Sequence, residues 1–243
     1  MAAGPRSPLP PFAAAFAWGG AVAFACSLIV FLYSYAVRFE MTGSGNPAGP
    51  IAINVILFTL FALHHSLLAR TRAKAWVTRI VTPALERSVY VWTASLLFVA
   101  VCWWWQPVPG VLYRIGGPWR WIAWSVQAAG VILTMRAAAA LDVLDLAGVR
   151  AVEAARRGGA VRELPLETRG VYAFVRHPLY FAWILMVAAA PDMTATRAVF
   201  AAVSTLYLAI AIPWEERALV ARFGDEYQTY RRTVHWRMLP FIY

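Results

Sequence analysis

FAAAFAWGGAVAFACSLIVFLYSYAV, residues 12–37, contains no charged residue, and this stretch decides the class of fold. About 20 apolar residues are enough for a helix to cross the hydrocarbon core of a bilayer. The stretch is also far longer than the roughly 7–15-residue apolar core of a cleavable signal peptide. We therefore interpret it as a retained first transmembrane helix.

The composition extends this interpretation to the whole chain. Of the 243 residues, 61% are hydrophobic and 14% are charged, and the mean hydropathy is +0.58. Soluble domains have roughly 45–50% apolar and about 25% charged residues. The net charge of +10 is explained more simply by basic loops that orient membrane helices than by nucleic-acid binding. The two cysteines lie in apolar runs and predict neither a disulfide framework nor a zinc site.

Further apolar segments follow the first, at about 49–68, 88–105, 119–140, 177–190 and 195–213. The segment at 177–190 is short and need not cross the full membrane. We predict an all-α, polytopic integral membrane bundle of five to six transmembrane helices, with a C-terminal cytoplasmic helix over 214–232. Residues 1–140 would form the first four spans, and 141–243 a second region with a cytoplasmic loop, a helical hairpin and a C-terminal segment.

Lysine and arginine residues are distributed unequally between the two sides of these spans. If the spans alternate in direction, 18 of the basic residues lie on one side and 4 on the other. Basic residues concentrate on the cytoplasmic side of membrane helices. We therefore predict that both termini are cytoplasmic, in a bacterial-type inner or plasma membrane.

Two polar clusters border the last apolar segments. The first is GVYAFVRHPLY at 170–180. Pro178 suits the first turn of a helix, so Arg176 and His177 would lie at the N-terminal end of that helix. Such a helix start attracts an anionic group, although it would also serve as a simple interfacial anchor. The second cluster begins with Glu215 and Glu216, directly after an apolar segment and Pro213. Acidic side chains at this position either face a polar cavity or lie in the first turn of a new helix, where the helix dipole favours negative charge.

The order and spacing of these clusters resemble a known family. RHPLY at 176–180 precedes the glutamate pair by about 35 residues, and FGDEYQTYRR follows at 223–232. This arrangement is similar to the isoprenylcysteine carboxyl methyltransferase superfamily of membrane methyltransferases. Upstream stretches, at 64–76, 83–92, 103–110 and 190–194, resemble its methanethiol S-methyltransferase branch. Related bacterial membrane proteins named after a nitrite and nitric oxide reduction gene cluster share part of this region.

The resemblance implies methyl transfer from S-adenosylmethionine, which would enter from the cytoplasm. Tyr172, Arg176, His177 and Tyr180 would line the cofactor site, and Glu215 and Glu216 would close it. Arginine and histidine suit a carboxylate, a glutamate suits ribose hydroxyls or an ammonium group, and aromatic faces tolerate a sulfonium. The expected acceptor is a small thiol or another lipophilic nucleophile that reaches the site from the lipid bilayer.

A thiol acceptor would gain from a base or a positive field, because free thiols of this kind have a pKa near 8.5. The candidates are His64 and His65 near the end of the second span, and the guanidinium groups of Arg70 and Arg87. The two histidines would also serve as caps of the span at the interface. No metal site is predicted, because Asp142 and Asp145 lack a third ligand.

Two departures from the thiol-methylating relatives leave alternatives open. The relatives tend to have Asp-His-Phe-Asp-Leu-Phe-Gly after the fourth span, whereas this chain has DVLDLAG at 142–148, without the histidine. Ala182 replaces a usual glycine. The alternatives are methylation of a prenylated or lipid acceptor, a reductase activity, and a non-catalytic accessory role in a respiratory or nitrogen-oxide pathway. The sequence leaves the oligomeric state open.

Overall fold

The structure is a computed structural model that describes residues 9, 11–68, 77–159 and 164–243. Most of these residues are helical. The α-helices are α1 (Ala13–Ala36), α2 (Ala48–Leu68), α3 (Glu86–Trp104), α4 (Trp119–Ala140), α5 (Val143–Leu146), α6 (Val149–Arg156), α7 (Pro178–Ala188), α8 (Ala195–Phe223) and α9 (Asp225–Thr233). Short 3-10 helices cover Arg38–Glu40, Pro83–Leu85 and Gly170–Ala173, and the strands are β1 (Val111–Arg114) and β2 (Asp192–Thr194).

Among the described residues, 5 helices are long and apolar enough to cross a membrane. These spans are Ala13–Glu40, Ala48–Ser66, Pro83–Trp104, Trp119–Ala140 and Ala195–Phe223. Helix α7 has 11 residues and is therefore about 17 Å long, shorter than the hydrocarbon core. The prediction of an all-α polytopic membrane protein is confirmed.

The chain forms two compact units. The first unit takes in the described parts of Met1–Leu32, Leu60–Trp103 and Asp142–Glu163; the second takes in Tyr33–Thr59, Trp104–Leu141 and Leu164–Tyr243. Small and branched side chains form the core of the first unit, namely Ala13, Ala17, Leu85, Ala147, Val149 and Val152. In the same unit, the indole N–H of Trp92 donates to the carbonyl of Phe16 at 2.9 Å, which joins α3 to α1.

Helices α4 and α7 of the second unit pack closely through small residues. A Cβ atom at Gly130 would lie 2.8 Å from the carbonyl oxygen of Ala182, so a larger residue at 130 would push the helices apart. Ala182 is fully buried in this contact. Small residues let membrane helices approach in this way, which favours van der Waals packing. The alanine that replaces the expected glycine therefore lies between helices.

A short antiparallel ribbon was not predicted from the sequence. Strand β1 lies in the loop between α3 and α4, and it pairs with β2, which directly precedes α8. Arg120 and Asp192 form an ion pair beside the ribbon. The two strands are only 4 and 3 residues long and far apart in the chain, so local periodicity carried no signal for them.

Helix α8 does not end at Pro213. The sequence suggested that the apolar segment stops there and that a new helix follows, but α8 runs on to Phe223 and stops before Gly224. Proline removes one helical N–H and frees the carbonyl four residues earlier, which belongs to Ala209. The hydroxyl of Tyr243 donates to that carbonyl at 3.4 Å. Glu215 and Glu216 are therefore interior residues of a helix, and their interpretation as N-terminal acids is wrong.

One buried arginine ties the beginning of α8 to the end of α1. Arg197 donates to the carbonyl oxygens of Tyr35, Ala36 and Asp192 at 3.0, 2.8 and 2.6 Å. Its guanidinium also lies 3.5 Å from the half-exposed carboxylate of Glu40. We call these five residues the Arg197 cluster. The carbonyls at the end of a helix lack helical partners, so the guanidinium satisfies groups that would otherwise be unpaired.

Candidate cofactor site at helix α7

Pro178 fixes where α7 begins. A proline disfavours helical geometry in the residue before it, and His177 accordingly has φ −122° and ψ 67°. Helix α7 therefore starts at Pro178, as predicted, and Arg176 and His177 lie in the extended chain that enters it. Both side chains are nonetheless buried.

Glu216 lies at the centre of a group of basic side chains. Its carboxylate is 2.6 Å from Nε of Arg176, 3.5 Å from Nε of Arg237 and 3.8 Å from Nε of Arg231. The ring of His177 lies 3.6 Å away. We call these five residues the Glu216 cluster. Because the carboxylate is almost fully buried, the surrounding positive charges are needed to offset the cost of removing it from water.

Arg176 also holds the residues that follow α9, which we call the tail (residues 234–243). Its Nη1 donates to the carbonyl oxygens of Val234 and His235 at 2.6 and 2.8 Å. The backbone N–H groups of Arg176 and His177 donate to the carbonyls of Trp236 and Arg237 at 2.9 and 2.8 Å. The guanidinium is therefore largely occupied by Glu216 and the tail.

Glu215 lies in a more open setting than its neighbour. The hydroxyl of Tyr180 donates to its carboxylate, and the ring of His177 approaches it to 3.5 Å. The His177 and Tyr180 rings are stacked, with centroids 5.3 Å apart and planes inclined by 6°. The side chain of Glu215 is 41% exposed, against 4% for Glu216. An exposed carboxylate beside stacked rings is available to a ligand.

Two buried polar atoms in this region lack a hydrogen-bond partner among the described residues. They are Nε2 of His177 and the hydroxyl oxygen of Tyr227. The 3.6 Å between Nε2 and the Glu216 carboxylate is too long for a hydrogen bond. Burial raises the pKa of Tyr227 to about 12, and the nearby charge of Glu216 acts in the same direction. Such atoms are uncommon in folded proteins and mark a place where a ligand can bind.

Tyr172 is held by hydrogen bonds at both its hydroxyl and its backbone carbonyl. Its hydroxyl donates to the carbonyl of Ala137 at 3.2 Å, and its own carbonyl accepts from the hydroxyl of Tyr230 at 2.7 Å. Burial raises the pKa of the Tyr172 phenol above its usual value. Both ends of Tyr172 are thus used within the protein, and they join α4 to α9.

The residues predicted to act on the acceptor belong to the first unit, whereas the six predicted cofactor residues belong to the second. The hydroxyl of Tyr90 lies 2.7 Å from Nδ1 of His65. Nδ1 of His64 is buried and lacks a hydrogen-bond partner among the described residues. Arg70 lies outside the described residues.

Arg87 is engaged by an acid of its own unit. Its Nη1 lies 3.1 Å from the carboxylate of Asp145, and Asp142 is paired with Arg150 at 3.0 Å. Within the described part of the chain, no group of three His, Cys, Asp or Glu residues is placed to hold a metal ion.

Arg231 and Arg237 were not among the predicted site residues. Arg231 directly follows Tyr230 near the end of α9, and Arg237 lies in the tail. The available signal was the spacing of Tyr227 and Tyr230, which are three residues apart and both buried, so that they fix one face of α9. That face turns Arg231 toward Glu216, and the tail brings Arg237 to the same carboxylate.

Comparison with known proteins identifies the family. Residues 160–221 match the model of the isoprenylcysteine carboxyl methyltransferase family. Methanethiol S-methyltransferase 2 of Bradyrhizobium diazoefficiens is 34% identical over 221 residues, covering 88% of this chain and 85% of that protein. The methanethiol S-methyltransferase of Mycobacterium tuberculosis is 34% identical over 230 residues, covering 89% of this chain and 94% of that protein.

A more distant similarity extends to an animal protein. Nurim of Xenopus laevis is 28% identical over 170 residues, covering 66% of this chain and 59% of that protein. No solved structure matches the chain. The family model covers the entry to α7, the whole of α7 and most of α8, which carry His177, Tyr180 and Glu215. The chain therefore belongs to the isoprenylcysteine carboxyl methyltransferase family and is an integral membrane methyltransferase.

Proposed function

We propose that the protein binds S-adenosylmethionine beside Glu215 and transfers its methyl group to a small thiol. The cofactor supplies an electrophilic methyl group when it is bound, so the protein's task is binding and orientation. The family and the similarity to methanethiol S-methyltransferases support this chemistry. Methanethiol is the first acceptor to test.

The observation that carries the proposal is the open carboxylate of Glu215 beside the stacked rings of His177 and Tyr180. A carboxylate suits the ammonium group of the cofactor's methionine part, or its ribose hydroxyls. The stacked faces of His177 and Tyr180 suit a sulfonium, because aromatic faces attract cations. These groups lie close together in one place, and the residues present therefore fit the cofactor.

The two adjacent glutamates have different roles in this proposal. Glu216 is buried and held by Arg176, so it fixes the tail against the entry to α7. Glu215 is exposed and forms the ligand contact. Arg176 acts mainly by positioning, because its guanidinium is occupied by Glu216 and by the carbonyls of Val234 and His235.

The acceptor must lose or share its thiol proton for efficient attack. His64, His65 and Arg87 remain our candidates for this step. A nitrogen of His65 is already bonded to Tyr90, which fixes the ring orientation, as expected of a positioned base. A small apolar thiol can reach the site from the lipid, and a site that excludes water prevents side reactions.

We also propose that both termini are cytoplasmic, which puts the Glu216 cluster on the cytoplasmic side. The excess of basic residues on that side supports the orientation. The pairing of β1 with β2 supports it too, because the segments that enter α4 and α8 must then lie on one side of the membrane. Helix α7, about 17 Å long, and the residues that lead from it to Asp192 would then make the return crossing.

Calorimetric titration of S-adenosylmethionine into purified protein tests the cofactor site. Glu215→Ala removes a charged contact worth about 1.5–3 kcal/mol, so Kd should rise about 10- to 100-fold. Glu226→Ala is the matched control, since it removes an exposed glutamate of α9 outside the site. Equal affinity in the wild type and in Glu215→Ala would overturn the assignment of Glu215.

The acceptor is tested separately by product formation. We expect methanethiol and S-adenosylmethionine to yield dimethyl sulfide, detected by gas chromatography, in membranes that contain the protein. Retained cofactor binding without any product from thiols would shift the assignment to a prenylated or lipid acceptor. Retained binding with no product from any acceptor would indicate an accessory role.

A further inference from the structure

Two of the most exposed apolar side chains in the described structure lie in the tail, outside the five spans. Phe241 is 84% exposed and Ile242 is 78% exposed. The tail nevertheless has an ordered fold, because Val234 and Met238 are buried. Its apolar side chains therefore divide into an inner set, which packs on the protein, and an outer pair that faces away from it.

The outer pair is held in place by a closed turn. The backbone N–H groups of Met238 and Leu239 donate to the backbone oxygen of Tyr243, at 2.9 and 3.0 Å. The N–H groups of Ile242 and Tyr243 donate back to the carbonyl of Leu239 at 3.2 and 3.0 Å. Phe241 has a φ of 66°, a left-handed conformation that is unfavourable for a bulky residue, and the turn keeps it there.

The position of this turn relative to the membrane follows from its contact with α8. The hydroxyl of Tyr243 donates to the carbonyl of Ala209, which lies within an apolar stretch that has no charged residue between Arg197 and Glu215. At a rise of about 1.5 Å per residue, Ala209 lies roughly 9 Å along the axis from Glu215, toward the membrane interior. The turn thus lies beside the last membrane-embedded turns of α8.

Neighbouring side chains are those expected at a membrane boundary. Trp236 packs on Phe241 with ring centroids 5.4 Å apart, and Arg237 stacks over the ring of Tyr243 at 5.0 Å. On the adjoining part of α8, Leu206 and Ile210 are 62% and 56% exposed, as expected for side chains that face lipid. Aromatic rings with a nearby arginine are typical of the interface between lipid and water.

We propose that the tail returns to the bilayer after α9 and that Phe241 and Ile242 insert into its boundary, so that the tail is an interfacial anchor. One flank of the tail holds Arg176 and His177 through backbone hydrogen bonds, and the other flank contacts lipid. The apolar surface of the tail is then continuous with the lipid-facing surface of α8. This inference does not depend on the proposed cofactor or acceptor.

Spin-label accessibility in liposomes tests the anchor. The background variant is Cys26→Ala, because Cys26 is exposed whereas Cys102 is buried and should remain unlabelled. A label on Ile242→Cys should collide readily with oxygen and poorly with a water-soluble nickel complex. Leu206→Cys on α8 is the lipid-facing reference, and Glu226→Cys on α9 is the water-facing one.

The expected result is a loss of nickel accessibility at position 242 relative to position 226, with oxygen accessibility near that of position 206. Phe241→Cys repeats the measurement at the adjacent site and guards against a local effect of one substitution. Nickel accessibility like that of position 226 would overturn the proposal. Shielding from both reagents would overturn it as well, because the tail would then contact protein, such as a second copy of the chain, instead of lipid.

Discussion

Helix α8 carries a buried charge near each end, and the two are satisfied in different ways. Arg197 is satisfied mainly by backbone carbonyls, and each of its three guanidinium nitrogens donates to one. Glu216 is satisfied by arginine side chains from three separate stretches of the chain. Around Glu216, the ring of His177 and the hydroxyl of Tyr227 each leave a buried polar atom without a hydrogen-bond partner in the part of the chain that the structure describes.

The difference distinguishes a structural contact from a candidate site. A charge whose hydrogen bonds go mainly to fixed carbonyls holds the backbone and leaves little capacity for a ligand. A buried acid surrounded by side chains with unused polar atoms keeps its neighbours oriented but leaves capacity for binding. We therefore expect substitutions in the Arg197 cluster to lower stability alone, and those in the Glu216 cluster to change stability and cofactor affinity together.

The largest effect should come from Glu216→Ala. It leaves the buried guanidinium of Arg176 without its acid, and breaking a buried pair in this way costs about 3–5 kcal/mol. Thermal unfolding in detergent should show the loss, and calorimetry should show weak or absent binding of S-adenosylmethionine. Glu216→Gln is the control, because it keeps the shape of the side chain and removes only its charge. Loss of binding at wild-type stability would mean that Glu216 contacts the cofactor itself.

Arg197→Met should lower stability by about 2–3 kcal/mol, the order of one to two hydrogen bonds to a charged group. Cofactor affinity, measured where the variant is still folded, should be unchanged. Arg197→Lys keeps the charge and should recover part of the loss. A weaker affinity in folded Arg197→Met would contradict the contrast between the two clusters.

Tyr180→Phe should have a smaller effect, and it should change only the affinity for S-adenosylmethionine. The change removes the hydroxyl that donates to Glu215 but keeps the ring that stacks on His177. The bond is charge-assisted, but the carboxylate of Glu215 is partly exposed and keeps its own contact with the cofactor. We therefore expect a loss of about 0.5–1.5 kcal/mol in binding, so Kd should rise roughly 2- to 10-fold, with little change in unfolding temperature. Tyr180→Ala also removes the stacked ring and should bind more weakly still; equal Kd values for the two variants would argue against a role for the ring.

The smallest effect concerns the proline in α8. Tyr243→Phe should cost about 0.5–1 kcal/mol, because the carbonyl of Ala209, whose usual helical donor Pro213 removes, loses its hydrogen bond from the Tyr243 hydroxyl. Pro213→Ala restores the helical N–H, so in that background the same substitution should cost less. A double-mutant cycle on unfolding free energies measures this coupling. Equal costs in both backgrounds would show that the hydroxyl does not compensate for the proline.

Much of the fold could be predicted from the sequence because membrane helices are encoded by local composition. The predicted spans at 49–68 and 119–140 correspond closely to α2 and α4. The end of α8 could not be predicted, because the compensation for Pro213 comes from Tyr243, far along the chain. The β-ribbon could not be predicted for the same reason, because its two strands are short and far apart in the chain.

The candidate site was predicted in part. The resemblance identified His177, Tyr180 and the glutamate pair, and the structure brings these side chains together. Arg231 and Arg237 were missed, because no local feature of the sequence shows that α9 and the tail bring them to Glu216. The predicted roles of His64, His65 and Arg87 stay predictions.

The sequence by itself determined the membrane class, the family and the position at which α7 begins. These follow from charge-free runs, from motif spacing and from the backbone restriction that Pro178 imposes on its neighbour, all of which are local properties of the chain. Only the tertiary structure decided which of two adjacent glutamates is buried and which is open. That choice depends on how α8 faces α7, α9 and the tail, and residues 15 to 40 positions from Glu216 set those contacts.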